Sequence, residues 1–197
     1  MEAATVATKE HCQYCFDVLI SHLKDQQPPS PPFTSTQSFP LFVTWTKYSN
    51  KASQLRGCIG NFAPLPLTVG LHDYALTSAL NDPRFPPIRL REVPQLSCSI
   101  SLLTDFEPAT DYLDWDVGVH GIWIEFRDER GKKRTATYLP EIAEEQGWGK
   151  VQAVDHLLRK GGFETHITEE VRRALRITRY RSQKAHLSYD DYVAMRK

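Results

Sequence analysis

The stretch "PLFVTWTKYSNKASQLRGCIG", Pro40 to Gly60, decides the fold. Its first part is rich in Phe, Val, Thr, Trp and Tyr, the residues that fit a pleated, half-buried surface, so a strand is predicted from about Leu41 to Tyr48. Ser49 to Gln54 is polar and reads as a turn, and a second strand follows through Ile59. So short a connection makes antiparallel pairing the simplest geometry.

Working outward, "LSCSISLLT" alternates strictly: Leu96, Cys98, Ile100 and Leu102 on one face, Ser97, Ser99 and Ser101 on the other. That is the period of a half-buried strand. "GIWIEFRDERGKKRTATYLP" reads as a hairpin that turns at Asp128 to Lys132. "LRITRYRSQ" reads as a last strand.

Helices surround these strands. Cys12, Cys15, Phe16, Leu19, Ile20 and Leu23 fall on one helical face, predicting a helix over residues 9–24. Four prolines in "PPSPP" then make residues 25–35 a stiff exposed loop, a reading preferred to a PxxP ligand. "LPLTVGLHDYALTSALND" is a second helix, with Pro66 in its first turn. In "DPRFPPIRLREVP", Pro83, Pro86, Pro87 and Pro94 argue against regular structure. Pro140 opens a short helix, "KVQAVDHLLRKGG" is another, stopped at Gly161, and Ser188 with Asp191 resembles the capping box of a last one. Strands and helices interleave without a steady β-α-β rhythm. The fold class is α+β, a mainly antiparallel sheet with flanking helices, in one domain over residues 1–197.

The chain has 197 residues, 41% hydrophobic and 24% charged, with 24 basic and 24 acidic side chains. Such a composition supports a core without disulfides or metal. Zero net charge argues against a protein built around a nucleic-acid or membrane field. The charges are nevertheless segregated. Glu92 to Phe126 holds seven acids and no Lys or Arg, and Val171 to Tyr189 holds six Lys or Arg and no acid. The ordinary explanation is that the two runs meet or are solvated; a basic surface for nucleic acid is the weaker alternative. No secretory signal opens the chain and no apolar run reaches the ~18 residues of a membrane helix, so an intracellular protein with reduced thiols is expected.

Candidate chemistry centres on "LRGCIG", Leu55 to Gly60. If strand alternation holds, Leu55, Gly57 and Ile59 share one face and Arg56 and Cys58 the other, roughly 7 Å apart along the strand. A cation so placed favours the thiolate. Gly57 and Gly60 would let another segment or a ligand approach. The competing reading is a buried, inert cysteine. Cys12 and Cys15 form a CxxC with no second pair and occupy helical core positions, so no metal site is expected; Cys98 reads as packing. His120, between Gly118 and Gly121, could act as base to Cys58 if the fold brings the two together. Arg84, held among prolines, could position a ligand anion or merely tie a loop down. GxGxxG after a strand, a Walker loop and HExxH are all missing.

"LRGCIG", "SALNDPRFPP", "SISLLTDFEP", "YLDWDVGVHGI", "RTATYLPEIAEEQGW" and "LLRKGGF" together resemble the AMMECR family, in order and from about Cys12 to Arg196. The resemblance implies an α+β domain with a larger and a smaller lobe. It implies no established activity and no known cofactor. Microbial relatives occur with Memo-type and radical-SAM proteins, which implies an enzyme system and a Memo-type partner; nuclear roles are proposed for animal members. Two functions follow as expectations. One is a cysteine-dependent enzyme or enzyme subunit with its site at Arg56 and Cys58, completed by Gly57, Gly60, Arg84 and His120. The other is a non-catalytic module that binds a protein or ligand. Either would act in the cytoplasm or the nucleus.

Overall fold

A computed structural model describes residues 7–49, 52–128 and 130–196. Six strands form one sheet: β1 (Ser38–Ser49), β2 (Ala52–Pro66), β3 (Leu96–Pro108), β4 (Gly121–Arg127), β5 (Lys133–Tyr138) and β6 (Arg176–Ser188). Their order is β2-β1-β3-β6-β4-β5, and β1 pairs antiparallel with both β2 and β3, as β4 does with β5 and β6. Among the described residues six α-helices accompany them: α1 (Lys9–Leu23), α2 (Leu67–Leu80), α3 (Pro140–Glu145), α4 (Lys150–Lys160), α5 (Glu169–Arg173) and α6 (Tyr189–Met195). The α+β reading and its mainly antiparallel sheet hold.

The chain divides into two compact units, Met1–Leu102 with Gln183–Lys197, and Leu103–Ser182. In the first, Leu41, Val43 and Trp45 of β1 and Cys98 and Ile100 of β3 lie on one face and are fully buried. They share a core with Cys12, Phe16 and Leu19 of α1 and Leu71 and Ala75 of α2. Side chains of this size contribute about 1.5–3 kcal/mol each on burial. Trp45 also donates its indole N–H to the Ala75 carbonyl (3.0 Å), so the ring anchors α2 to the sheet without stranding a polar atom. Asp17 of α1 accepts from the Tyr192 hydroxyl (2.7 Å) and from Arg196 (2.9 Å), which ties α6 to α1. Burial raises the Asp17 pKa, and those two partners only partly offset it.

In the second unit, Ile122, Ile124 and Phe126 of β4 pack with Ile177 of β6 and with Val154, Leu157 and Leu158 of α4. Here the acidic and basic runs meet: Arg179 pairs with Glu107 (3.0 Å) and Asp114 (2.6 Å). Arg172 pairs with Asp155 (2.7 Å) and Arg173 with Glu169 (2.9 Å). Much of the basic run is thereby committed, which favours the ordinary explanation of the segregation.

Several boundaries differ from the sequence reading. The β1–β2 ladder continues to Ser49 opposite Ala52, so most of the polar run 49–54 is strand; residues 50 and 51 lie outside those described. The proline-rich segment contains a 3-10 helix, Leu90–Gln95, with Pro94 inside it. A helix of this kind needs few intrahelical donors, and Pro94 removes only one. Among the described residues, no helix is long and apolar enough to cross a membrane.

Candidate functional site

Strand β2 does not alternate cleanly through "LRGCIG". Cys58 lies opposite Thr44 and Gly57 opposite Trp45, but Leu55 lies opposite Thr46, so Arg56 is an extra residue at a bulge. A bulge reverses the alternation beyond it. Leu55 therefore lands on the Cys58 side and is exposed, the reverse of the core position expected for it. Arg56 turns into the protein and is only 9% exposed. Its Nε and Nη2 donate to the two Glu92 carboxylate oxygens (3.1 and 3.2 Å) and its Nη1 to the Pro86 carbonyl (2.7 Å). Arg56 and Cys58 thus do not form the shared-face pair that alternation predicts.

The glycines also have a structural explanation. A Cβ on Gly57 would meet the Ser78 backbone of α2, and one on Gly60 would meet the Phe42 ring and the Leu41 carbonyl. It is the protein's own segments that use this close approach, and no ligand fits in the space left by Gly57.

What does converge on Cys58 is "NDPR", Asn81 to Arg84, at the end of α2. Asp82 is almost fully buried. Its Oδ2 accepts the Cys58 backbone N–H (2.9 Å). Arg84 grips the same carboxylate through Nε (3.0 Å) and Nη2 (2.7 Å), and Nη2 also donates to the Cys58 carbonyl (3.0 Å). The Asp82–Arg84 pair therefore clamps both polar groups of the Cys58 peptide. Arg84 and its hydrogen bonds hold the Asp82 carboxyl well below the usual carboxylate range, against the effect of burial. The Arg84 pKa rises in turn, chiefly through Asp82 and in small part through the Cys58 sulfur. On the side chain, Thr44 Oγ1 donates to Cys58 Sγ (3.1 Å). Cys12, Cys15 and Cys98 are fully buried, and burial pushes the Cys98 thiol well up; Cys58 alone of the four is partly exposed.

Sequence reasoning found Cys58 and Arg84 but missed Asp82 and Thr44. An Asp two residues before an Arg across a proline is a turn-forming pattern, and it was the available signal for the clamp. Indeed the Asp82 carboxylate caps the Arg84 N–H (3.1 Å), as in an Asx turn.

His120 belongs to the second unit. Its Nδ1 accepts the Asp116 backbone N–H (2.9 Å), so the neutral ring carries its proton on Nε2. Burial, then the charges of Arg179 and Arg181, lower its pKa. In that tautomer the free nitrogen is a donor, not a base. The glycines beside it do not open space either: a Cβ on Gly121 would strike the Tyr180 ring, and one on Gly118 would lie 2.9 Å from the Glu144 carboxylate. The same unit carries a cavity of about 530 Å³, floored by Phe126, Phe163, Val171 and Leu175. No group of three metal-ligating side chains occurs among the described residues.

An α+β fold with a six-stranded sheet and a clamped cysteine on its edge strand β2 defines the class of protein. The chain belongs to the AMMECR1 family, whose family model matches residues 12–185, across both units. It is 50% identical over 190 residues to an uncharacterised protein of Arabidopsis thaliana, covering 95% of this chain and 88% of that one. An uncharacterised protein of Schizosaccharomyces pombe is 39% identical over 189 residues, covering 94% and 95%. A crystal structure of an uncharacterised protein from Pyrococcus horikoshii superposes with a TM-score of 0.72 at 22% identity, covering 92% of this chain and 93% of the other, and supports the fold alone.

Proposed function

We propose that this protein is a cysteine-dependent enzyme, or the thiol-bearing subunit of one, with Cys58 as nucleophile. The observation that carries the reading is the clamp. The Asp82–Arg84 pair fixes the Cys58 peptide at its N–H and its C=O, while Thr44 donates to the sulfur of the one partly exposed thiol. Holding a reacting atom through a supporting shell is what nucleophilic catalysis requires. Arg84, with half of its side chain exposed, takes over the role that the sequence suggested for Arg56. It supplies the cation beside the thiol and a free face for an anionic substrate group. The reaction belongs inside the cell, in the cytoplasm or nucleus, where thiols stay reduced. A Memo-type protein is the proposed partner, on family resemblance.

The second reading, a non-catalytic binding module, is favoured by one observation: Arg56 is spent on a basic pocket and not on the thiol. Incubating the protein with a small-molecule extract of cells separates the two. The enzyme reading predicts metabolites consumed or formed by wild-type protein and not by Cys58→Ala, or a covalent adduct on Cys58 in the intact mass. No metabolite change beyond the protein-free control, and no adduct on Cys58, would favour the binding module.

A further inference from the structure

The pocket that Arg56 helps to build is a site in its own right. It has a volume of about 360 Å³, at the lower end of the ~300–1,000 Å³ typical of small-molecule sites. Its lining brings together Lys47, Arg56, Arg89 and Arg91 around a single carboxylate, Glu92, with Pro86 and Pro87 as an apolar wall. Four cations against one anion leave three positive charges over.

Glu92 cannot neutralise that excess, because its acceptors are already taken. It receives Lys47 Nζ (3.1 Å), Arg56 Nε and Nη2, and the Arg89 backbone N–H (3.0 Å). Arg56 is likewise spent: its three hydrogen bonds go to Glu92 and Pro86, so it serves as a rigid wall. Arg89 and Arg91 are different. Both are exposed, and neither guanidinium has an ion pair among the described residues. The 3-10 helix holds them in place, since Leu90–Gln95 begins directly after Arg89 and buries Val93 in the core.

We infer that this pocket binds a small phosphate monoester, with Arg89 and Arg91 gripping the phosphoryl oxygens, Lys47 at their side and the organic part against Pro86 and Pro87. Guanidinium groups recognise phosphate through paired N–H···O bonds, and a tetrahedral dianion offers acceptors to cations that converge from several strands and loops. A flat monoanionic carboxylate satisfies only part of this set. The volume exceeds what an inorganic phosphate needs, which is why an ester is preferred. This inference is independent of the thiol reading: it uses no atom of Cys58, Asp82 or Arg84.

Acidity gives the ligand class a signature. The second phosphate proton titrates near pH ~6. The groups facing the ligand are Lys47, Arg56, Arg89, Arg91 and Glu92. Glu92 is ionised on both sides of that pH, because the hydrogen bonds from Arg56, Arg89 and Lys47 outweigh its burial and bring its pKa to about 2. Affinity should therefore rise with pH through the phosphate's own titration.

The test is a titration of the full chain, labelled with 15N and followed by NMR, using phenyl phosphate, inorganic phosphate and benzoate as probes. Saturable shifts from phenyl phosphate, confined to the residues around Pro86 to Glu92 and Lys47, are expected, stronger at neutral pH than at pH ~5. Inorganic phosphate should bind more weakly at the same place. The double variant Arg89→Gln and Arg91→Gln should weaken binding at least about tenfold, since two charge-assisted contacts are lost, with an unchanged melting temperature because both side chains are exposed. Raised sodium chloride should weaken wild-type binding as well. The inference is overturned if no probe gives saturable shifts there, if the double variant binds phenyl phosphate as wild type does, or if benzoate binds equally well with no dependence on pH.

Discussion

Gly57→Ala places one methyl group between β2 and α2. The new Cβ would lie 3.0 Å from the carbonyl carbon of Ser78 and closer still to its oxygen. Carbon atoms pack at about 3.5–4.0 Å, so one element must move by on the order of 1 Å. No flexible side chain can yield, because the obstacle is helix backbone. Lifting α2 loosens Leu71 and Ala75, both fully buried, and strains the Trp45 bond to the Ala75 carbonyl. Overpacking a tight core costs ~1–3 kcal/mol, and a backbone obstacle puts this substitution at the upper end, about 3 kcal/mol. For a chain of this length each kcal/mol lowers the melting temperature by ~2–4 °C, so a drop of roughly 6–12 °C is expected. Thermal and urea denaturation followed by circular dichroism measure it. Gly149→Ala is the control, since Gly149 has φ −74° and nothing within 4 Å of its Cβ position. A Gly57→Ala protein as stable as that control would refute the packing account of this glycine and reopen the space for a ligand.

Acid unfolding should report Glu92. Its pKa falls from 4.5 to about 2 on folding, so its contribution is complete above pH ~4.5 and is lost as pH drops towards 2. Glu92→Gln should therefore be less stable than wild type at neutral pH and show a shallower loss between those two values, read from urea midpoints against pH. Asp17 works in the opposite sense: its raised pKa means that stability falls as pH rises from its unfolded value through its folded one, so Asp17→Asn should reduce that loss in the same series. Asp82→Asn removes the charge that Arg84 grips but keeps the shape. A destabilisation of about 1–3 kcal/mol is expected in urea, together with faster hydrogen exchange at the Cys58 amide. Unchanged exchange there would mean that the clamp does not hold the peptide.

Periodicity made much of the fold legible. The strict alternation of Leu96 to Leu102 and the helical spacing of Cys12 to Leu23 both became buried faces, because each feeds a core on one side only. The first strand pair was legible in type but not in extent, since polar residues such as Ser53 and Gln54 still make ladder bonds. The short α5 was not legible; none of its residues is buried, so it leaves no apolar pattern. The site was half legible. Cys58 and Arg84 stood out by residue type, but alternation carried Arg56 to the wrong side because a bulge leaves no mark in the spacing of apolar residues. Asp82 lay hidden because its role depends on β2 lying against the end of α2, a contact between residues 24 positions apart.

The relative reactivity of the four thiols tests the proposed site most directly. Folded protein is treated with limiting iodoacetamide near neutral pH, and the modified residues are located by peptide mapping. The proposed site predicts that Cys58 takes the label first and that Cys12, Cys15 and Cys98, all fully buried, react only after unfolding. It also predicts that Arg84→Gln slows labelling of Cys58 in protein that stays folded, whereas Arg91→Gln leaves it unchanged. Labelling of Cys58 no faster than that of Cys98 would contradict it and return Cys58 to a packing role.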